Sequence, residues 1–417
     1  MATIGGGGAE VTISPPPATG DGNVQAFNHA ISEIQGAIDG GARVEVYDPL
    51  NPPSASEGQA RAANQPFVLL VDKETLDASG AVPVINVPQG VDYLVIEDGV
   101  SVPVTVQGSE DSPVTVVGGT GNGTYFVNGP STLIDTGGTN FAILNDTVGS
   151  EVRFGDGNDT IIAGSGDDTV VAGRGDDLTF LGAGNDSAFV QGNDTIFTGS
   201  GNDTVSVDFG NVFVTNGSGN LTFINGQDAS TVLGGSGSTT IFGGAGGGLY
   251  VGGTAGDNVM TAGEGATTLI GGGAGDVLFA AGSTGDLLIA GSGNTTLSGG
   301  TSTGDNTFMA GSGNDLVIGG IGSDTIFAGG GDDTAVGGAG DDVFTFMKGL
   351  TDGGSITIAD FVSGSDKIDL EGFKGKDNIA HLLKDQVNTP AGTVVSLSDG
   401  TQITFTGLDE LKRSDFV

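Results

Sequence analysis

Short apolar runs recur along most of the chain, each bounded by glycine, asparagine or aspartate. Between residues 155 and 345 their spacing settles into a nine-residue unit, clearest in Gly164-Ser165-Gly166-Asp167-Asp168-Thr169-Val170-Val171 and in the run from Gly329 to Phe344. Each unit joins a glycine-rich turn, which tolerates positive φ angles, to three residues centred on a β-former, enough for a short strand. Ile161, Val170, Ile241, Leu269, Leu278, Leu288, Val317, Ile326 and Phe344 hold the central position. Side chains alternate across a strand, so these residues predict a narrow core. The residues that follow, including Ile162, Phe180, Phe189, Phe197, Phe242, Ile270, Phe279, Ile289, Ile318 and Phe327, predict an outer apolar stripe. Such a stripe is either a contact surface or a position that merely accepts β-formers.

The pattern differs outside this region. Residues 1–20 are rich in glycine and proline and read as a flexible arm. Val24, Phe27, Ile31, Ile34 and Ile38 are spaced three and four apart, which predicts an amphipathic helix over 23–38. Asp21 or Asn23 would cap its start and Gly40-Gly41 would end it. That helix either closes the open end of a solenoid or docks on another subunit. A short helical turn is expected over 59–63, and strands over 67–71, 82–87, 93–96, 102–106 and 114–117. From about 115 to 153, Asn/Gly turns alternate with apolar segments but lack regular aspartates. After 345, a helix is expected over 379–385 and a hairpin around Asp399-Gly400. The divisions are 1–110, 111–153, 154–345 and 346–417, and the fold class is all-β: a parallel β-solenoid with a short N-terminal helix and a β-rich C-terminal cap.

Composition sharpens this. The chain holds 81 glycines among 417 residues, and their spacing is not that of collagen. A formal charge of −39 would favour disorder, but the apolar residues are periodic. No Lys or Arg lies between Gly175 and Met347, and seven of the twelve basic residues fall from Lys348 onward. The repeats therefore repel themselves unless cations bind, and nucleic acid is excluded as a partner. No apolar run is long enough to span a membrane. The first residues lack the basic-then-apolar pattern of a cleaved signal. Cysteine is absent, which suits an extracellular protein that uses metal in place of cross-links.

The repeat aspartates supply the candidate chemistry, since carboxylates and turn carbonyls are hard oxygen donors for calcium. Asp159, Asp168, Asp177, Asp186, Asp194 and Asp203 recur at spacings of nine or eight. A degenerate stretch follows, with Asn216, Asn220 and Asn225. Thr239, Gly248, Thr267 and Thr295 then stand where Asp is expected, while Asp257, Asp276, Asp286 and Asp305 keep it after insertions. Asp315, Asp324, Asp333 and Asp342 complete the series. The units and the tail together resemble the RTX, or haemolysin-type calcium-binding, family of type I secreted bacterial proteins. The resemblance covers about 150–417 and implies a right-handed parallel β-roll with Ca²⁺ between successive coils. It makes the aspartates above ligands together with glycine carbonyls. Asp360 and Asp366 match the segments that close the last site. It also implies an uncleaved C-terminal secretion signal in the final residues, a type I exporter as partner, and an extracellular or cell-surface location. Cytosolic calcium is scarce, so the repeats would stay unfolded for export and fold outside.

Such repeats carry varied passengers in the family, including metalloproteases, lipases, epimerases, pore-forming toxins, adhesins and surface-layer proteins. The two histidines, His29 and His381, have no partner at zinc-protease spacing, and no Gly-x-Ser-x-Gly elbow is present. Carboxylate pairs leave a glycosidase-type site open, but nearly the whole chain reads as solenoid with little room for catalysis, which points to a non-enzyme, a structural protein that self-associates into a surface layer, filament or matrix. The alternative is a small carbohydrate-binding adhesin or hydrolase in 1–110, with a cell-surface glycan as partner. A third possibility is a calcium-buffering exported protein.

Overall fold

A computed structural model describes residues 1–6, 9–16, 21–53, 65–79, 84–108, 112–351 and 353–417. The chain divides into two compact units, Met1–Phe213 and Val214–Val417. Each is a parallel β-solenoid, and the described residues contain three α-helices: α1 (Asp21–Asp39), α2 (Lys73–Ser79) and α3 (Ile379–Asp385). The expected short helical turn over 59–63 lies outside the described residues.

In the first unit one sheet runs in parallel register from Arg43–Val46 and Phe67–Val71 through Tyr93–Ile96, Val114–Val117 and Ser131–Ile134 to the repeat strands. The second sheet begins at Ile85–Val87 and continues through Pro103–Gln107, Thr124–Asn128 and Phe141–Asn145. Coiling therefore starts near residue 43, well before the 115 expected from the glycine pattern. Every residue of Phe67–Val71 is fully buried, so this strand lacks the alternation that marks a half-exposed one, whereas Ile85–Val87 and Pro103–Gln107 alternate buried and more exposed positions.

The N-terminal helix corrects both expectations for it. Phe27, Ala30 and Ile34 pack on Val68, Leu70, Val95, Val117 and Ile134, the outward residues of the first sheet. Helix α1 thus covers a side of the solenoid; it neither plugs an open end nor leaves its apolar face for another subunit. Described parts of the arm also prove ordered. Strands β1 (Ala2–Gly6) and β2 (Ala9–Ile13) form an antiparallel hairpin whose Ile4, Val11 and Ile13 enter the same cluster. Alternate apolar residues on both strands provide that face, and Asp98 fastens its end by accepting from the Ser14 amide and hydroxyl. Helix α2 was not anticipated. Its first turn is capped by Asp72, which accepts from the Thr75 amide at 2.6 Å.

The second unit is built on the same scheme, with one sheet from Asn220–Ile224 to Ser355–Ile358 and the other from Ser230–Leu233 to Lys367–Glu371. The end is closed differently. Gln402–Thr406 pairs in parallel with Ser355–Ile358 and then antiparallel with Gly392–Ser396, the hairpin expected around Asp399-Gly400. Phe361 joins the closure, edge-on to Phe405 at 5.1 Å between ring centres. The last residues fold back as well: Asp415 is fully buried and accepts from Ser363 and Gly364.

Candidate metal sites

The core residue of each strand sets the geometry of the turn before it. Because side chains alternate, the residue two positions earlier also faces inward. Asp168 stands two before Val170, Asp186 two before Ala188, and Asp324 two before Ile326, and all six are buried. Each inward carboxylate accepts, through Oδ1, the backbone amide of the corresponding residue one coil away. Thus the amides of Asp159, Asp168, Asp177 and Asp186 donate to Asp177, Asp186, Asp194 and Asp203 at 2.7–3.1 Å. In the second unit Asp315, Asp324 and Asp342 donate likewise to Asp333, Asp342 and Asp366.

The second oxygen divides the carboxylates into two kinds. In Asp159, Asp177, Asp186, Asp194, Asp203, Asp324, Asp333 and Asp342, Oδ2 is buried without any hydrogen-bond donor. In Asp168, Asp276, Asp286 and Asp315 it accepts from a turn amide, of Gly164, Gly272, Ala281 and Gly311 respectively. Asp366 uses its second oxygen on Val362, and Asp360 spends both on the amides of Gly337 and Gly338. A buried carboxylate oxygen without a donor is costly. Burial accordingly pushes the acids up, Asp177 to about 8, Asp186 and Asp159 to about 7, and Asp168 and Asp194 to about 6. The same cause raises Asp324, Asp333 and Asp342 to about 6.

Glycine carbonyls stack beside these acids. Gly201 has φ +127°, and a Cβ there would lie 1.5 Å from the Gly184 carbonyl oxygen of the previous coil. Only glycine permits that approach. Among the described residues no three carboxylate or imidazole side chains converge on one point, so a cation held here would have to draw on such carbonyls. The residues present fit calcium: hard oxygens, buried negative charge, and the eight inward Oδ2 atoms with nothing donating to them, joined by Oδ1 of Asp146 as a ninth such carboxylate oxygen.

Two expected ligands fall out of line. Asp257 and Asp305 stand three residues before Met260 and Phe308 and are exposed. Their neighbours Asn258 and Asn306 occupy the inward position and are buried. Nearby insertions obscure the glycine spacing, and counting back from the core residue would have found them. Asn258 substitutes for a charged pair: its amide nitrogen donates to the Gly253 carbonyl and to Asp276, both at 2.8 Å.

Two tyrosines close other turns. Where the inward position is glycine, at Gly123 and Gly248, a Cβ would strike the ring of Tyr125 or Tyr250. The phenol occupies that space. Tyr125 donates to Asp135 at 2.5 Å, a buried acid pushed up to about 8 by desolvation. Tyr250 accepts from Asn225 and donates to the Gly247 carbonyl.

A parallel β-solenoid with inward aspartates and stacked glycine carbonyls defines a calcium-binding β-roll. Residues 155–188, 191–214 and an overlapping series from 252 to 347 match the family model for the RTX calcium-binding nonapeptide repeat (4 copies). The matched segments are therefore RTX-type repeats, which bind Ca²⁺ at multiple sites and indicate type I secreted, extracellular proteins. No curated protein matches the chain. No helix among the described residues is long and apolar enough to cross a membrane.

Proposed function

We propose that this is a secreted structural protein that folds on export as calcium binds and then self-assembles into an extracellular layer, filament or matrix. The eight donorless carboxylate oxygens support calcium-dependent folding. By this reading Asp159, Asp177, Asp186, Asp194, Asp203, Asp324, Asp333 and Asp342 are the principal ligands, with glycine carbonyls beside them. The bound ion supplies the positive charge that the repeats lack. Asp168, Asp276, Asp286, Asp315, Asp360 and Asp366 contribute less, because turn amides already satisfy them. The RTX repeats indicate passage through a type I exporter, and the charge suits it, since an unneutralised ladder favours the unfolded chain.

One observation carries the assembly. In the first unit helix α1 and the hairpin cover the outward column of one sheet as far as Ile134, whereas the outward column of the other stays partly exposed from Phe126 to Phe197. There Phe126, Ile143, Ile162, Phe180 and Phe197 stand in register on successive strands. Phe180 and Phe197 stack at 4.7 Å, and Phe126 and Phe197 keep more than a third of their surface exposed. A continuous apolar stripe on an acidic solenoid is an association surface, effective once calcium lowers the repulsion between copies.

Electron microscopy and sedimentation of the full chain, with and without millimolar calcium, test this. Ordered sheets or filaments that dissolve in chelator are expected, and a Phe180→Ser/Phe197→Ser variant should fold with calcium yet fail to assemble. Isolated rods at high calcium and high protein concentration would refute the assembly.

A further inference from the structure

Between residues 74 and 347 the sequence has two basic residues, Arg153 and Arg174, and both line one cavity of about 450 Å³ in the first unit. The cavity lies where the cover of helix α1 stops. On the same outward column, Ile134 is buried by the helix, Arg153 follows it, and Val171 and Phe189 come next on successive strands. Phe189 is 49% exposed. Arg153 is held from two sides, pairing with Glu151 and donating to Asn23 at the start of the helix. Arg174 is exposed, lies over the Phe209 ring at 5.2 Å, and has no ion pair among the described residues. Beside it along the turn ridge stand Asp156, Gln191 and Asp208, one per coil, with Gln191 donating to Asp208 at 3.0 Å.

We propose that this cavity binds an acidic saccharide, a sugar bearing a carboxylate. An unpaired guanidinium is a planar, bidentate partner for a carboxylate. In a chain of formal charge −39, with Arg153 already paired to Glu151, the exposed Arg174 guanidinium is the group in this cavity that draws a negative ligand. The exposed Phe189 ring offers an apolar platform for a sugar face. The alternating carboxylates and amide of the ridge accept from and donate to hydroxyls, as a site for a polyhydroxylated ligand requires. A fatty or aromatic acid would leave Asp156, Gln191 and Asp208 without a role. The inference is independent of self-assembly, because its residues lie on the other sheet from the apolar stripe.

The test is calorimetric titration of the full chain at saturating calcium with a glucuronate-containing disaccharide, with maltose as the neutral control and benzoate as the non-sugar anion. Binding of the uronate disaccharide alone is expected. Arg174→Ala and Phe189→Ala alter exposed side chains, and each should weaken binding about tenfold. Arg174→Lys should recover only part of the loss, since an ammonium lacks the fork. Circular dichroism with calcium should match wild type in all three variants. No binding by the uronate, equal binding by maltose or benzoate, or unchanged affinity in Arg174→Ala would overturn the proposal.

Discussion

Two sets of turns share a backbone but close differently. From Asp159 to Asp203 every inward position is a carboxylate, and five of the six keep an oxygen without a donor. From Ser230 to Thr267 the inward positions are Ser230, Thr239, Gly248 with the Tyr250 phenol in its place, Asn258 and Thr267, none of them a carboxylate. Beside them Asn225 bonds Asp228, Ser230 and Tyr250, while Asn258 bonds Gly253 and Asp276. By the proposed function, the first set draws a cation from solution to its donorless oxygens. The second carries its own donors, so the same coil forms with or without metal. Calcium dependence is thus a property of individual turns, and the repeat pattern alone does not assign it.

Chelation should break this comparison most visibly. Hydrogen exchange followed by mass spectrometry should show residues 155–207 losing protection in chelator while 220–270 keep theirs. Uniform loss across both would refute the division. Gly201→Ala comes next. The positive φ and the 1.5 Å approach to the Gly184 carbonyl predict loss of the calcium-induced β signal around that coil, at a cost above the ~1–3 kcal/mol of backbone strain alone.

Acidity offers a third test. The inward acids are raised to about 6–8, above the ~3.9 of an unfolded aspartate. The folded, metal-free turn therefore binds more protons than the unfolded chain. Its stability from this source is full below about pH 4 and is lost as pH rises through 6–8. In chelator, circular dichroism should show more β structure at pH 5 than at pH 8. With calcium present the ion and the proton compete, and apparent affinity should fall on acidification.

Two smaller effects sharpen the contrast. Asn258→Asp places a carboxylate opposite Asp276 and removes the donated hydrogen bonds, so that turn should become chelator-sensitive by the same exchange measurement. Tyr250→Phe leaves Asn225 short of a partner, and should lower stability by about 1–3 kcal/mol without changing the number of calcium ions bound.

Much of this was legible in the residues. The alternation around Val170 or Ile326 locates the core, and Asp two positions earlier follows from strand geometry. Helix α1 could be read from its three–four spacing, but not its seat, because Val68, Val95 and Val117 gave no sign of which face stays wet. The early strands were expected, but Phe67–Val71, buried on both sides, has no alternation to read, and so gave no sign that coiling already starts near residue 43. Asp257 and Asp305 misled because glycine spacing drifts at insertions, whereas Met260 and Phe308 do not move relative to the inward residue. The phenol plugs needed coordinates: Gly248 and Tyr250 each look ordinary until the ring is seen filling the space where a side chain is missing.

The neutral turns around Asn225, Tyr250 and Asn258 also bear on kinetics. A solenoid grows by adding coils to an existing end, and the unfavourable step is making the first one. In the second unit a stretch that keeps its shape through calcium withdrawal would remain as a seed. When the ion returns, the coils from Asp276 to Asp342 would then extend from that template, and refolding would begin without a lag.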